Sequence, residues 1–125
     1  MRRGGLGVAG LLGFTAVAFG AFGAHGLRER LSPPMLEIYR TGALYHLVHA
    51  VAALAVVVAG ERLRRGPMIL TLFTLGIIVF AGSLYALAIT GVMALGAVTP
   101  LGGLLLLGAW ALVALEALSS SGRAS

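Results

Sequence analysis

The chain is predicted to be an all-α integral membrane protein, a bundle of four spanning helices. Three observations predict it. Of 125 residues, 59% are apolar and only 10% charged, where soluble domains run nearer half apolar and a quarter charged. Mean hydropathy is +1.02, and a domain this small would have to leave much of that apolar surface in water. The charges are confined to short clusters that separate four apolar stretches, each long enough to cross a hydrocarbon core of about 30 Å.

Arg2 and Arg3 precede the first stretch, residues 4–24 (GGLGVAGLLGFTAVAFGAFGA), which carries no charge. It is too long for the apolar core of a cleaved signal peptide and reads as a span. The connection HGLRERLSPP follows, and Ser32 before Pro33 and Pro34 has the form of an N-cap with prolines in the first helical turn. Residues 33–42, which mix apolar residues with Glu37 and Arg40, are expected to start this helix at the membrane interface. Gly42 is the expected bend, and residues 43–60 the second span.

Glu61, Arg62, Arg64, Arg65 and Pro67 interrupt the pattern, because charge and proline cannot continue a lipid-facing helix. The third span is residues 68–90, ended by Gly91. Residues 92–118 are too long for one upright crossing, and Thr99-Pro100 offers a helix start that makes 100–118 the fourth span; the alternative is one long helix kinked at Pro100. Six arginines (Arg2, Arg3, Arg62, Arg64, Arg65, Arg123) flank one set of ends and three (Arg28, Arg30, Arg40) the other, which predicts both termini in the cytoplasm.

Helices in lipid associate through close packing rather than hydrophobicity, so small residues mark contact faces. In the first span Ala9, Gly13, Ala16, Gly20 and Ala24 recur at helical spacing and form the predicted packing face, with Gly23 beside it and Leu12 facing lipid or a tolerant contact. A large side chain at Gly13 or Gly20 should therefore do more harm than trimming Leu12. Ala43, Ala50 and Ala53, then Gly76 and Ser83, then Gly102 and Ala109 extend the set to the other spans.

The segments GAFGAH (20–25), TGALYHLVHA (41–50), AGSLYALAIT (81–90) and VTPLGG…LGAW (98–110) resemble the YgdD family of small bacterial inner-membrane proteins. The resemblance touches all four spans in order. It implies a four-span protein of the bacterial inner membrane, and no activity. The matching positions able to carry chemistry are His25, Tyr45, His49, Ser83, Tyr85 and Thr99, while His46 departs from the family pattern.

The residues themselves exclude several functions. Without Cys or Asp there is no thiol chemistry and little ligand supply for a metal, and the arginines sit in short clusters beside apolar runs rather than along one face that could track nucleic acid. No Ser-His-acid arrangement is legible around Ser83. We therefore expect no catalytic, cofactor or metal site and no nucleic-acid partner. Ionisable residues at membrane depth are nonetheless functional candidates, which singles out a polar set of Tyr45, His49, Ser83, Tyr85 and Glu116. His49 and Tyr45 are expected to face into the bundle, with at least one of them bonding another helix, where Ser83, Tyr85 and Thr99 are the candidate partners; Glu116 should lie near Arg62, Arg64 or Arg65, and Tyr39 and Trp110 should be packing or interfacial anchors. The functional expectation is a non-enzymatic helix-bundle or interaction protein, in contact with the lipid bilayer and with a second copy or another membrane protein. The alternative is a homo-oligomeric transporter or channel for protons or a small solute.

Overall fold

A computed structural model describes residues 2–123, and side chains as far as residue 119. Arg123, one of the arginines weighed for orientation, lies with its side chain outside that range, as do Met1, Ala124 and Ser125 entirely. The regular structure among the described residues is helical: α1 (Arg2–His25), α2 (Pro33–Ala59), α3 (Gly66–Thr90) and α4 (Thr99–Arg123), with 3-10 turns at Gly60–Arg62 and Met93–Ala97. All four helices are long and apolar enough to cross a membrane.

The helix ends follow local chemistry. The Ser32 hydroxyl accepts from the Met35 N–H at 3.4 Å, with proline in the first turn, as an N-cap requires. Gly91 closes α3 in the left-handed conformation, φ 73°, and its N–H reaches the Leu87 carbonyl. α4 begins at Thr99, after a separate 3-10 turn, so the last apolar stretch is a turn plus a helix rather than one kinked helix.

Packing follows chain order. α1 lies on α2, α2 on α3 and α3 on α4, while α1 meets α3 only briefly. The middle helices are correspondingly the more buried pair. Gly42 is not a bend: α2 runs unbroken through it, and a Cβ there would sit 3.2 Å from Leu84 Cβ and 3.4 Å from the Ala81 carbonyl, so this glycine lets α2 and α3 approach. Gly76 and Gly102 do the same for α3 and α4. A Cβ on Gly76 would meet Leu106, and one on Gly102 would meet the backbone of Phe80.

On α1 the packed face differs from the expected one. Gly5, Ala9, Leu12, Ala16 and Gly23 are buried. Ala9 and Ala16 belong to both faces, but Leu12, expected to face lipid or a tolerant contact, is buried, Gly13 and Gly20 have no atom within 4 Å of a built Cβ, and Ala24 is exposed. The rotation is set by Tyr39. Its ring lies against Gly23, its hydroxyl donates to the Phe19 carbonyl at 2.6 Å, and it is 1% exposed. Tyr39 is thus a core residue between α1 and α3, not an interfacial anchor.

Candidate functional site

His46 and His49, three residues apart on α2, look toward different neighbours. His46 faces α1 and α3: its Nε2 is 3.1 Å from Thr15 Oγ1 and its Nδ1 2.8 Å from Tyr85 Oη. Proton bookkeeping selects a tautomer. With the proton on Nε2, His46 donates to Thr15, the Thr15 hydroxyl donates to the Leu11 carbonyl at 2.8 Å, and the Tyr85 hydroxyl donates to Nδ1. Every donor is used once. The other tautomer would leave the buried Tyr85 hydroxyl without an acceptor among its described contacts, at a cost of about 1–3 kcal/mol.

His49 takes the opposite form. Its Nδ1 lies 2.8 Å from the Tyr45 carbonyl, which can only accept, so Nδ1 carries the proton. Its Nε2 then accepts from the Trp110 indole N–H at 2.9 Å, and indole can only donate. One histidine therefore ties α1, α2 and α3 together, and the other ties α2 to α4. Both are buried.

Aromatic rings fill the space around these bonds. Phe19 stacks on Tyr85 with centroids 4.4 Å apart and planes 4° from parallel, and Tyr39 leans on the same ring at 4.9 Å. Around His49, Phe73 and Trp110 meet edge to face at 5.1 Å. Tyr45 packs on Phe80 at 4.7 Å but is 42% exposed. It stands at the rim of a groove of about 510 Å³ that α2 and α4 form across α3. His49, Phe80, Gly103, Leu106 and Trp110 line it, together with the exposed Val48 of α2 and Leu107 of α4. Because His49 Nε2 and the Trp110 indole N–H satisfy one another, the groove away from Tyr45 offers a mainly apolar surface.

The five candidate residues do not converge on one site. Tyr45 and His49 share the groove. Tyr85 belongs to the His46 cluster. Ser83 donates to the Phe80 carbonyl and pairs with Thr99 Oγ1 at 2.6 Å, pinning the start of α4 to α3. Glu116 is buried at the far end of α4, where its carboxylate accepts the backbone N–H of Arg65, the residue preceding α3, while the Arg65 guanidinium reaches Ser119 Oγ at 3.0 Å. It acts as a helix cap supplied by another helix. His49 does reach another helix, but through Trp110 rather than Ser83, Tyr85 or Thr99, and Tyr45 lies at the surface of the bundle instead of inside it.

Thr15, His46 and Trp110 are polar participants outside the candidate set that the sequence singles out, where His46 departs from the family pattern and Trp110 is expected as an anchor. A signal for His46 was available: it falls on one face with Tyr39 and Ala53, seven residues to either side. Among the described residues no three His, Cys, Asp or Glu side chains are placed to hold a metal ion.

Comparison with known proteins adds a family but no chemistry. A family described as "Protein of unknown function (DUF423)" matches residues 19–103. The UPF0382 membrane protein YwdK of Bacillus subtilis is 38% identical over 82% of this chain and 85% of its own length. A UPF0382 membrane protein of Haemophilus influenzae is 38% identical over 88% of this chain and 90% of its own. One from Schizosaccharomyces pombe is 35% identical over 83% and 92%. No solved structure matches.

Proposed function

As the chain belongs to the DUF423 family, the UPF0382 membrane proteins, we propose that it is a non-enzymatic helix bundle that acts by docking a helix of another membrane protein, or of a second copy, in the groove between α2 and α4. The observation that carries this reading is how the polar atoms are used. Those of His46, His49, Tyr85, Ser83 and Glu116 bond other helices or their backbone, and the groove that remains is lined mainly by apolar and aromatic groups and Gly103, with Tyr45 at its rim. Shape and small residues are what helix association in lipid uses.

The same reading places the protein in a bacterial inner membrane with both termini cytoplasmic. Its supports are the arginine asymmetry and the likeness of its four segments to the YgdD proteins. Reporter fusions at either terminus test the orientation, and a periplasmic C-terminus in a bacterial host would overturn it.

The chain has no native cysteine, so single cysteines report cleanly. Cysteines at Val48 and Leu107, which line the groove, should give a discrete cross-linked protein product in native membranes; cysteines at Leu11 and Phe14, on the outer face of α1, should not. Leu107→Trp should fill the groove and abolish the Val48 product while the protein stays folded. Products of equal yield at all four positions, or none at the groove, would defeat the proposal.

A further inference from the structure

A second cavity lies elsewhere. Where α1 begins and α2 hands over to α3, a cavity of about 1030 Å³ opens at the end of the bundle. Arg2 enters it from α1, and Arg62 and Arg64 from the α2–α3 connection, with Glu61 the one acidic side chain in the lining. The turn that presents them is made by Gly60, at φ 57°, a conformation that favours glycine. Neighbouring Arg65 is committed to Ser119. Arg2, Arg62 and Arg64, by contrast, are exposed and make no hydrogen bond or ion pair among the described residues. Three guanidinium groups against one carboxylate leave this cavity net positive.

Part of its lining has the opposite character. Val58 and Ala59, the last turn of α2, belong to that part. From there Val58, Leu54 and Val51 run down the outer surface of α2 as one exposed apolar ridge, spaced three and four residues apart. A charged rim at the helix ends above an apolar track is the profile of a phospholipid lying along a helix. Guanidinium forks bind phosphate oxygens in pairs, and basic pockets at the ends of spanning helices select anionic headgroups.

We infer that this cavity binds the headgroup of an anionic phospholipid, with its phosphate held by Arg2, Arg62 and Arg64 and an acyl chain along the Val51–Leu54–Val58 ridge. The inference needs only that the chain sits in a membrane, so it stands or falls separately from the groove.

The test is native mass spectrometry of the full chain in mild detergent with phosphatidylglycerol or phosphatidylcholine. Wild type should retain phosphatidylglycerol in preference to phosphatidylcholine, and raising ionic strength from about 0.05 to about 0.5 M should strip it. Each arginine removed should weaken retention about fivefold, so Arg62→Gln with Arg64→Gln should lose on the order of tenfold or more. Arg28→Gln with Arg30→Gln, at the other end of the bundle, should lose none. Thermal stability of both pairs without added lipid shows whether they fold. Salt-insensitive retention by wild type, equal losses from the two pairs, no preference between the lipids, or displacement by millimolar inorganic phosphate as effective as by phosphatidylglycerol would overturn it.

Discussion

Gly102→Ala should loosen the contact between α3 and α4, whereas the same change one residue later should not. A methyl group on Gly102 would lie 2.6 Å from Phe80 Cα and 2.7 Å from Phe80 Cβ. Carbon atoms need about 3.5–4 Å, so the helices must part by roughly 1 Å, and backbone cannot rotate out of the way. Overpacking of this kind costs about 1–3 kcal/mol, and alanine's better helix propensity returns about 1 kcal/mol. The displacement also strains two bonds on the same side of α4, Ser83 to Thr99 at 2.6 Å and Trp110 to His49 at 2.9 Å, each worth about 0.6–2 kcal/mol in lipid. The net loss is about 1–3 kcal/mol. At Gly103 the nearest atoms are Phe80 Cδ2 and Cε2, at 3.8 and 3.9 Å. Gly103→Ala therefore keeps ordinary contact and should gain up to about 1 kcal/mol. Unfolding by denaturing detergent in mixed micelles measures both. Equal effects, or a stabilising Gly102→Ala, would refute the view that α3 and α4 meet backbone to backbone here.

On α1, Gly23→Ala should destabilise, because the new methyl group would press on the Tyr39 ring, while Gly13→Leu and Gly20→Leu should leave the midpoint of the same unfolding assay within about 0.5 kcal/mol of wild type. Nitrogen-15 NMR of the histidines should show His46 protonated at Nε2 and His49 at Nδ1, and Trp110→Phe should perturb the His49 signals alone; one tautomer for both rings would contradict the bonding described. His46→Leu should cost about 1–3 kcal/mol by leaving the Tyr85 hydroxyl unsatisfied, measured against Tyr85→Phe/His46→Leu, which should recover part of it. Glu116→Gln keeps an oxygen for the Arg65 N–H and should be mild, whereas Glu116→Leu should lose about 1 kcal/mol of capping.

The spans and their ends were legible because they depend on local chemistry: runs without charge, Ser32 before two prolines, Gly91 after the last apolar turn. The rotation of α1 was not. Glycine and alanine occur on nearly every side of that helix, so small residues at helical spacing fit the stripe through Gly13 and Gly20 as well as the one through Gly5 and Gly23. Tyr39, twenty residues from its acceptor Phe19 in the chain, decides between them. The candidate polar residues were legible as individuals and not as a site. His46 and His49 are three residues apart and so lie on nearly one face of α2, but only the positions of α1 and α4 on either side of α2 show that one histidine turns to Thr15 and the other to Trp110. Glu116 was expected near Arg65 and is there, yet it holds the backbone N–H rather than the guanidinium, a distinction that residue types cannot encode.

That each helix after the first packs on the one before it bears on how the protein is made. A nascent chain delivers its helices in order, and here every newcomer finds a packing partner already in the bilayer. When α3 arrives, Tyr85 can reach His46, completing the link across the first three helices while the last is still being synthesised. His49 has to wait for Trp110. During that interval its Nε2 faces the open flank of an unfinished assembly, so the arrival of α4 both shapes the groove and satisfies the last imidazole nitrogen of α2.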